Sequence, residues 1–176
     1  MAQKFPQPKW EAKVSTKLAK AGADHIWPLC KDFFNLHKWF PGLSVCHGIH
    51  GSNGEPGCIR YCAGLNLPTE GGEQVVSWAK ERVIAIDHDE KSITYEIVEG
   101  NIGFNSYVST LKVVPRGGDG CVMEWSFAVD PVEGWKFEDL VKGYEEWLQG
   151  IANKMEEDVV GKIKAQKEQV KTCSFA

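Results

Sequence analysis

From Trp10 to Leu18 the chain alternates, with Trp10, Ala12, Val14, Thr16 and Leu18 on one side and Lys9, Glu11, Lys13, Ser15 and Lys17 on the other. A period of two with one apolar side predicts a half-buried strand. Ala21-Gly22-Ala23-Asp24 then opens a helical stretch ending near Asn35–Phe40, with Asp24 as cap or first-turn acid and Pro28 admissible only in the first turn. Pro41-Gly42 breaks the pattern, and Leu43–Ile49 reads as a strand. The turn Ser52-Asn53-Gly54-Glu55-Pro56-Gly57 leads to a short strand, Cys58–Ala63, and Gly64–Gly72 reads as a long Gly-rich link. Strands follow at Gln74–Ile86, Ser92–Glu99, Phe104–Val114 and Cys121–Val129. After Pro131 the period changes. Phe137, Leu140, Val141, Tyr144, Leu148, Ile151, Met155, Val159 and Ile163 recur at three and four residues, the stripe of a long amphipathic helix. Gly143, Gly150 and Gly161 weaken it and point to close packing.

Strands joined by short turns favour an antiparallel meander, and one long helix is the economical cover for its apolar face. The expected fold is α+β: a seven-stranded curved antiparallel sheet around a C-terminal helix, with short helices after the first strand and space for a ligand between sheet and helix. A length of 176 residues fits one domain. Its core is expected over about 9–165 and a flexible tail over 166–176.

Composition narrows the function. A net charge of -4 argues against nucleic acid, which needs a surplus of Lys and Arg. No apolar run is long enough to span a bilayer, and MAQKFPQPKW is not a secretory signal, so a cytoplasmic protein is expected. The 7 Trp, 8 Phe and 4 Tyr supply apolar area for a core and for a cavity lining as well, so the expected partner is a small apolar or amphipathic molecule. Cys30, Cys46, Cys58, Cys62, Cys121 and Cys173 contain no C-x-x-C pair and read as reduced, mostly buried thiols. No phosphate-binding loop, H-E-x-x-H or EF-hand occurs, and His47 and His50 fall on opposite faces of a strand, so neither cofactor nor metal is expected.

Gln74–Ile86 is the informative segment. Gln74, Val76, Trp78, Lys80 and Arg82 share a wet face, whereas Val75, Ser77, Ala79, Glu81, Val83 and Ala85 share the inward one. Glu81 is the single acid there, and alternation alone leaves it either inward or returned to solvent by twist or a bulge. An inward carboxylate needs a partner, and Arg60, flanked by Cys58 and Cys62, is available on the preceding strand. Tyr107 offers a third polar tip or serves as core.

Phe34-Asn35-Leu36-His37-Lys38, Pro41-Gly42-Leu43-Ser44-Val45-Cys46, Gly57-Cys58-Ile59-Arg60-Tyr61 and Trp78-Ala79-Lys80-Glu81 resemble the plant lachrymatory-factor synthase group, within the START-like, Bet v 1-like helix-grip superfamily. The resemblance runs through roughly residues 10–160. It implies a seven-stranded sheet gripping a C-terminal helix around an apolar cavity. It also implies that Arg60, Glu81 and Tyr107 are catalytic and that no cofactor is needed. The implied reaction is an isomerisation of a small alkenyl sulfenic acid to a thial S-oxide, moving a proton from oxygen to carbon. Arg60 would hold the S–O oxygen. Glu81 would carry the proton, helped if burial raises its pKa, and Tyr107 would orient the substrate. The alternative is a non-catalytic carrier or sensor using the same cavity. Leu65, Leu67, Pro68, Phe104, Tyr144 and Leu148 are the expected cavity and gate residues.

Gly64-Leu65-Asn66-Leu67-Pro68 also resembles the gate loop of the abscisic-acid receptors of that superfamily. The matching latch, Gly100-Asn101-Ile102-Gly103-Phe104, lacks their His-Arg-Leu, and their carboxylate-binding Lys falls near Ser44. Both departures count against hormone sensing. Cys173-Ser174-Phe175-Ala176 has the outline of a C-a-a-X prenylation box with a poor aliphatic at Ser174.

Overall fold

The structure, a computed structural model, describes residues 7–67 and 75–173, the side chains of 66, 67, 172 and 173 excepted. Pro68 and the side chains of Leu67 and Cys173 therefore lie outside the described residues. The elements are β1 (Trp10–Leu18), α1 (Ala23–Lys31), a 3-10 turn (Phe33–Lys38), β2 (Val45–His50), β3 (Ile59–Leu67), β4 (Val75–Asp87), β5 (Ser92–Gly100), β6 (Val108–Pro115), β7 (Cys121–Val129) and α2 (Phe137–Cys173). The seven strands form one antiparallel sheet in the order β1-β7-β6-β5-β4-β3-β2. The curved sheet grips α2, which lies against β1, β7 and α1.

The core follows the two periods. Val14 and Leu18 of β1, Met123, Trp125, Phe127 and Val129 of β7, and Leu140, Tyr144, Leu148, Ile151 and Met155 of α2 are all buried. Of the α2 glycines, Gly150 is packed: a Cβ there would meet Pro41 at 3.0 Å, whereas one at Gly161 would meet nothing within 4 Å.

Five boundaries differ from expectation, each for a physical reason. The helical stretch divides at Asp32, whose ψ of 67° ends α1 before the 3-10 turn begins. β3 continues through 64–67, expected as link, because the register shifts between Ala63 and Asn66 and a bulge absorbs Gly64. β6 starts at Val108 rather than Phe104, since Ser106 takes a left-handed φ of 52° that no strand continues through. In β4 a shift between Val83 and Ala85 reverses the alternation, turning Ala85 out and Ile86 toward the core. Lastly, α2 runs on to Cys173 where a flexible tail was expected from 166; the residues from 164 to 171 are helical and exposed.

Candidate functional site

β3 and β4 bring Arg60 and Glu81 directly opposite one another. Because side chains alternate, Cys58, Arg60 and Cys62 all point inward, at 1%, 4% and 7% exposure. Nε of Arg60 donates to Glu81 Oε2 over 2.6 Å, Nη2 lies 2.6 Å from the same oxygen, and Nη1 donates to the Phe33 carbonyl over 2.9 Å. Among the described residues none donates to Glu81 Oε1. The guanidinium carbon sits 3.7 Å from the centre of the Phe33 ring and 5.3 Å from that of Tyr95, a cation between two aromatic faces. Burial works against its charge, but Glu81 first, then Cys62, Cys46 and Tyr95, hold its pKa above the ordinary guanidinium value. Arg60 is thus a fixed positive charge, and the Glu81 side chain, 14% exposed, reaches the rim.

Beside Arg60 lies a void of about 30 Å³, lined by Leu29, Leu36, Ile93, Leu111, Ile151 and Met155 with the faces of Phe33, Tyr95 and Trp125. It holds about one or two water-sized groups, far short of the roughly 300–1,000 Å³ of a drug-sized site. Arg60 is its only charged lining side chain besides Asp32 among the described residues.

Tyr107 stands apart from the ion pair. It is buried in the loop before β6, and its hydroxyl shares a 2.5 Å hydrogen bond with that of Tyr144 on α2. Its ring stacks on Phe104 at 5.6 Å and meets Tyr95 at 6.3 Å, so Tyr95 is the ring between it and Arg60. Burial, chiefly, raises the pKa of Tyr95, Tyr107 and Tyr144, and the Glu81 charge adds to each. These phenols stay protonated, able to orient a ligand oxygen but not to serve as bases at neutral pH.

The expected gate and cavity residues divide. Leu65 is half-buried and lies over Gly42, and its carbonyl accepts Ser77 Oγ over 2.7 Å. Phe104 covers Tyr107, and the latch is pinned to β4 by Asn101, whose Oδ1 accepts Trp78 N over 2.8 Å while Nδ2 donates to Val76 O over 3.0 Å. Tyr144 and Leu148 are packed core: the Tyr144 ring lies 4.5 Å from Trp125 and 4.3 Å from Phe127, and neither residue lines the void. Residues that sequence reasoning missed are Phe33, Tyr95 and Cys46. Tyr95 was within reach, since Ile93, Tyr95 and Ile97 alternate on the inward face of β5. The Phe33 carbonyl carried no signal, because its contact with Arg60 spans 27 residues. No group of three or more His, Cys, Asp or Glu among the described residues is arranged to hold a metal, and no helix among them is long and apolar enough to cross a membrane.

Residues 9–156 match the family model described as polyketide cyclase / dehydrase and lipid transport. MLP-like protein 31 of Arabidopsis thaliana is 37% identical over 118 residues, 65% of this chain and 63% of that protein. MLP-like protein 34 of the same plant is 37% identical over 102 residues, 56% of this chain, but there the match spans under a third of the relative, 30%. Among solved structures, ginseng major latex-like protein 151 from Panax ginseng superposes with a TM-score of 0.64 at 20% identity, covering 86% of this chain and 99% of that one. At that identity the likeness speaks for the fold, and it carries the same seven-stranded grip. With a helix-grip sheet closed on α2 and a family match over most of its length, the chain belongs to the polyketide cyclase / dehydrase and lipid transport family, of the START-like, Bet v 1-like class.

Proposed function

We propose that the chain binds a small, largely apolar molecule by one polar end at Arg60 and shifts a proton within it at Glu81, an isomerisation of the lachrymatory-factor-synthase type. The observation that carries this reading is the size and lining of the void beside Arg60: about 30 Å³, mostly apolar and aromatic, with the buried guanidinium and Asp32 as its charged lining side chains. A space of that size takes about one or two heavy atoms beside Arg60, so it receives the polar end of a small ligand and not a lipid. Arg60 offers donors beyond those spent on Glu81 and Phe33, as an S–O oxygen requires.

Chemically, a sulfenic acid bound by its oxygen at Arg60 competes with Glu81 for the guanidinium. The displaced carboxylate takes the O–H proton and returns it to the far alkene carbon, while C=C becomes C=S and no electrons leave the substrate. The water-poor surroundings strengthen the Arg60 contact and protect a reactive species from outside thiols. Tyr107, neutral and hydrogen-bonded to Tyr144, holds the aromatic wall formed by Phe104 and Tyr95.

The test is turnover of a freshly generated alkenyl sulfenic acid by wild type, Glu81→Gln and Arg60→Leu. Wild type turns over, and each substitution lowers kcat by about 10²–10⁴-fold. No wild-type turnover removes the sulfenic-acid assignment, and equal rates in all three remove the mechanism. The second reading, a carrier that binds without reacting, is favoured by the lipid-transport part of the family description. Native mass spectrometry of protein isolated from its source separates the two: an unchanged ligand stoichiometrically retained supports the carrier.

A further inference from the structure

We propose that Cys46 and Cys62 are a reversible redox pair, closed to a disulfide across β2 and β3 by a hydroperoxide. The two residues are direct partners in the antiparallel register, and Cys62 Sγ donates to Cys46 Sγ over 3.0 Å. Antiparallel partners have Cα atoms about 4.5–5.5 Å apart, within the roughly 4.4–6.8 Å that a disulfide spans, so side-chain rotation alone can bring the sulfurs to about 2.05 Å.

Thiol chemistry separates the pair into attacker and resolver. Facing Cys46 are Cys62 and Arg60 from β3 and Glu81 from β4, while the 3-10 turn contributes backbone, with the Phe33 carbonyl oxygen 3.9 Å from the sulfur. The hydrogen bond from Cys62, with help from the Arg60 charge, outweighs burial and Glu81 and draws the Cys46 thiol down to about 6. That same hydrogen bond and burial push Cys62 up, so it keeps its proton. By contrast, burial raises Cys30 and takes Cys121 to about 11, which leaves both as inert thiols.

The steps balance. The Cys46 thiolate attacks one peroxide oxygen, the O–O bond breaks, Cys46 becomes a sulfenic acid, and hydroxide leaves to take up a proton. The Cys62 sulfur then attacks the Cys46 sulfur, forming the S–S bond, and the hydroxyl departs with the Cys62 proton as water. In sum, two thiols and one hydrogen peroxide give one disulfide and two waters, two electrons passing from sulfur to oxygen. The bond fixes the edge strand β2 to β3 beside Arg60, so oxidation is felt at the ligand site. The pair is independent of what that site binds, and its failure would leave the site's chemistry untouched.

The test treats the reduced full chain, natively folded, with a stoichiometric excess of hydrogen peroxide, blocks remaining thiols by alkylation, and maps peptides without reduction. One crosslink joining the Cys46 and Cys62 peptides is expected, with loss of two hydrogens and full reversal by dithiothreitol. Its rate should rise through about pH 6 and level above it, as the thiolate fraction of Cys46 does. In Cys62→Ser the Cys46 sulfenic acid persists and is trapped by dimedone. Recovery of both cysteines alkylated, separate oxidation to sulfinic acids without a crosslink, or no dimedone adduct in Cys62→Ser would each overturn the proposal.

Discussion

Arg60 carries a charge it cannot lose into a place where water barely reaches, at 4% exposure, and the surroundings answer with a carboxylate, a carbonyl and two aromatic faces. Removing one partner of a buried ion pair typically costs about 3–5 kcal/mol, because the other charge stays buried and alone. The rim position of Glu81 and the Phe33 contacts that outlast its loss moderate this, so Glu81→Leu should destabilise the fold by about 2–4 kcal/mol. Replacing both ends by apolar groups of similar volume removes the stranded charge. The double variant Arg60→Met with Glu81→Leu should therefore lie within about 1 kcal/mol of wild type. Urea unfolding of wild type, Arg60→Met, Glu81→Leu and the double variant checks this. Additive losses would mean that the two side chains do not act as one unit.

Among the elements, β3 has the tightest geometric demand, since it must both present Arg60 inward and carry Leu65 over Gly42. The bulge at Gly64 does this: its φ is +118°, and a Cβ there would fall 1.9 Å from Ser44 Oγ and 2.7 Å from Ser44 N. Steric conflict with backbone cannot be relieved by a rotamer change, so Gly64→Ala should cost about 2–4 kcal/mol. Gly57, with φ +87° and nothing within 4 Å of a Cβ, isolates the backbone part, and Gly57→Ala should cost only about 1 kcal/mol. Comparison of urea midpoints distinguishes them, and equal losses would show that the approach of Ser44 is not the limiting contact. At the latch, Asn101 holds the β4 backbone with both polar atoms of its side-chain amide, which anchors 100–104 without the residues of a hormone-receptor latch.

For the whole molecule, the architecture was legible because two hydrophobic periods exclude each other: period two through β7 and period 3.6 from Phe137 leave little choice but a sheet around a helix. The failures lie where backbone irregularity defeats periodicity. Bulges in β3 and β4 moved strand ends and turned Ala85 outward, and the left-handed Ser106 delayed β6. The opposition of Arg60 to Glu81 was legible in part: alternation left Glu81 inward or returned to solvent, and the need of an inward carboxylate for a cation named Arg60 as its partner. Distance across the fold hid the rest of the site. The Tyr107–Tyr144 hydrogen bond joins residues 37 apart, and the Phe33 carbonyl reaches Arg60 only once the 3-10 turn has packed against β2 and β3. The central claim is that the buried guanidinium of Arg60 holds the polar end of a small ligand, and the most direct measurement is calorimetric binding of 1-propanesulfinate, a stable small anion with an S–O group. Wild type should bind it saturably, and Arg60→Leu should bind at least about tenfold more weakly, as loss of a charge-assisted hydrogen bond requires. Glu81→Gln should bind as tightly as wild type or more so, because the carboxylate no longer competes. No saturable binding to wild type, or an affinity unchanged in Arg60→Leu, would contradict the account.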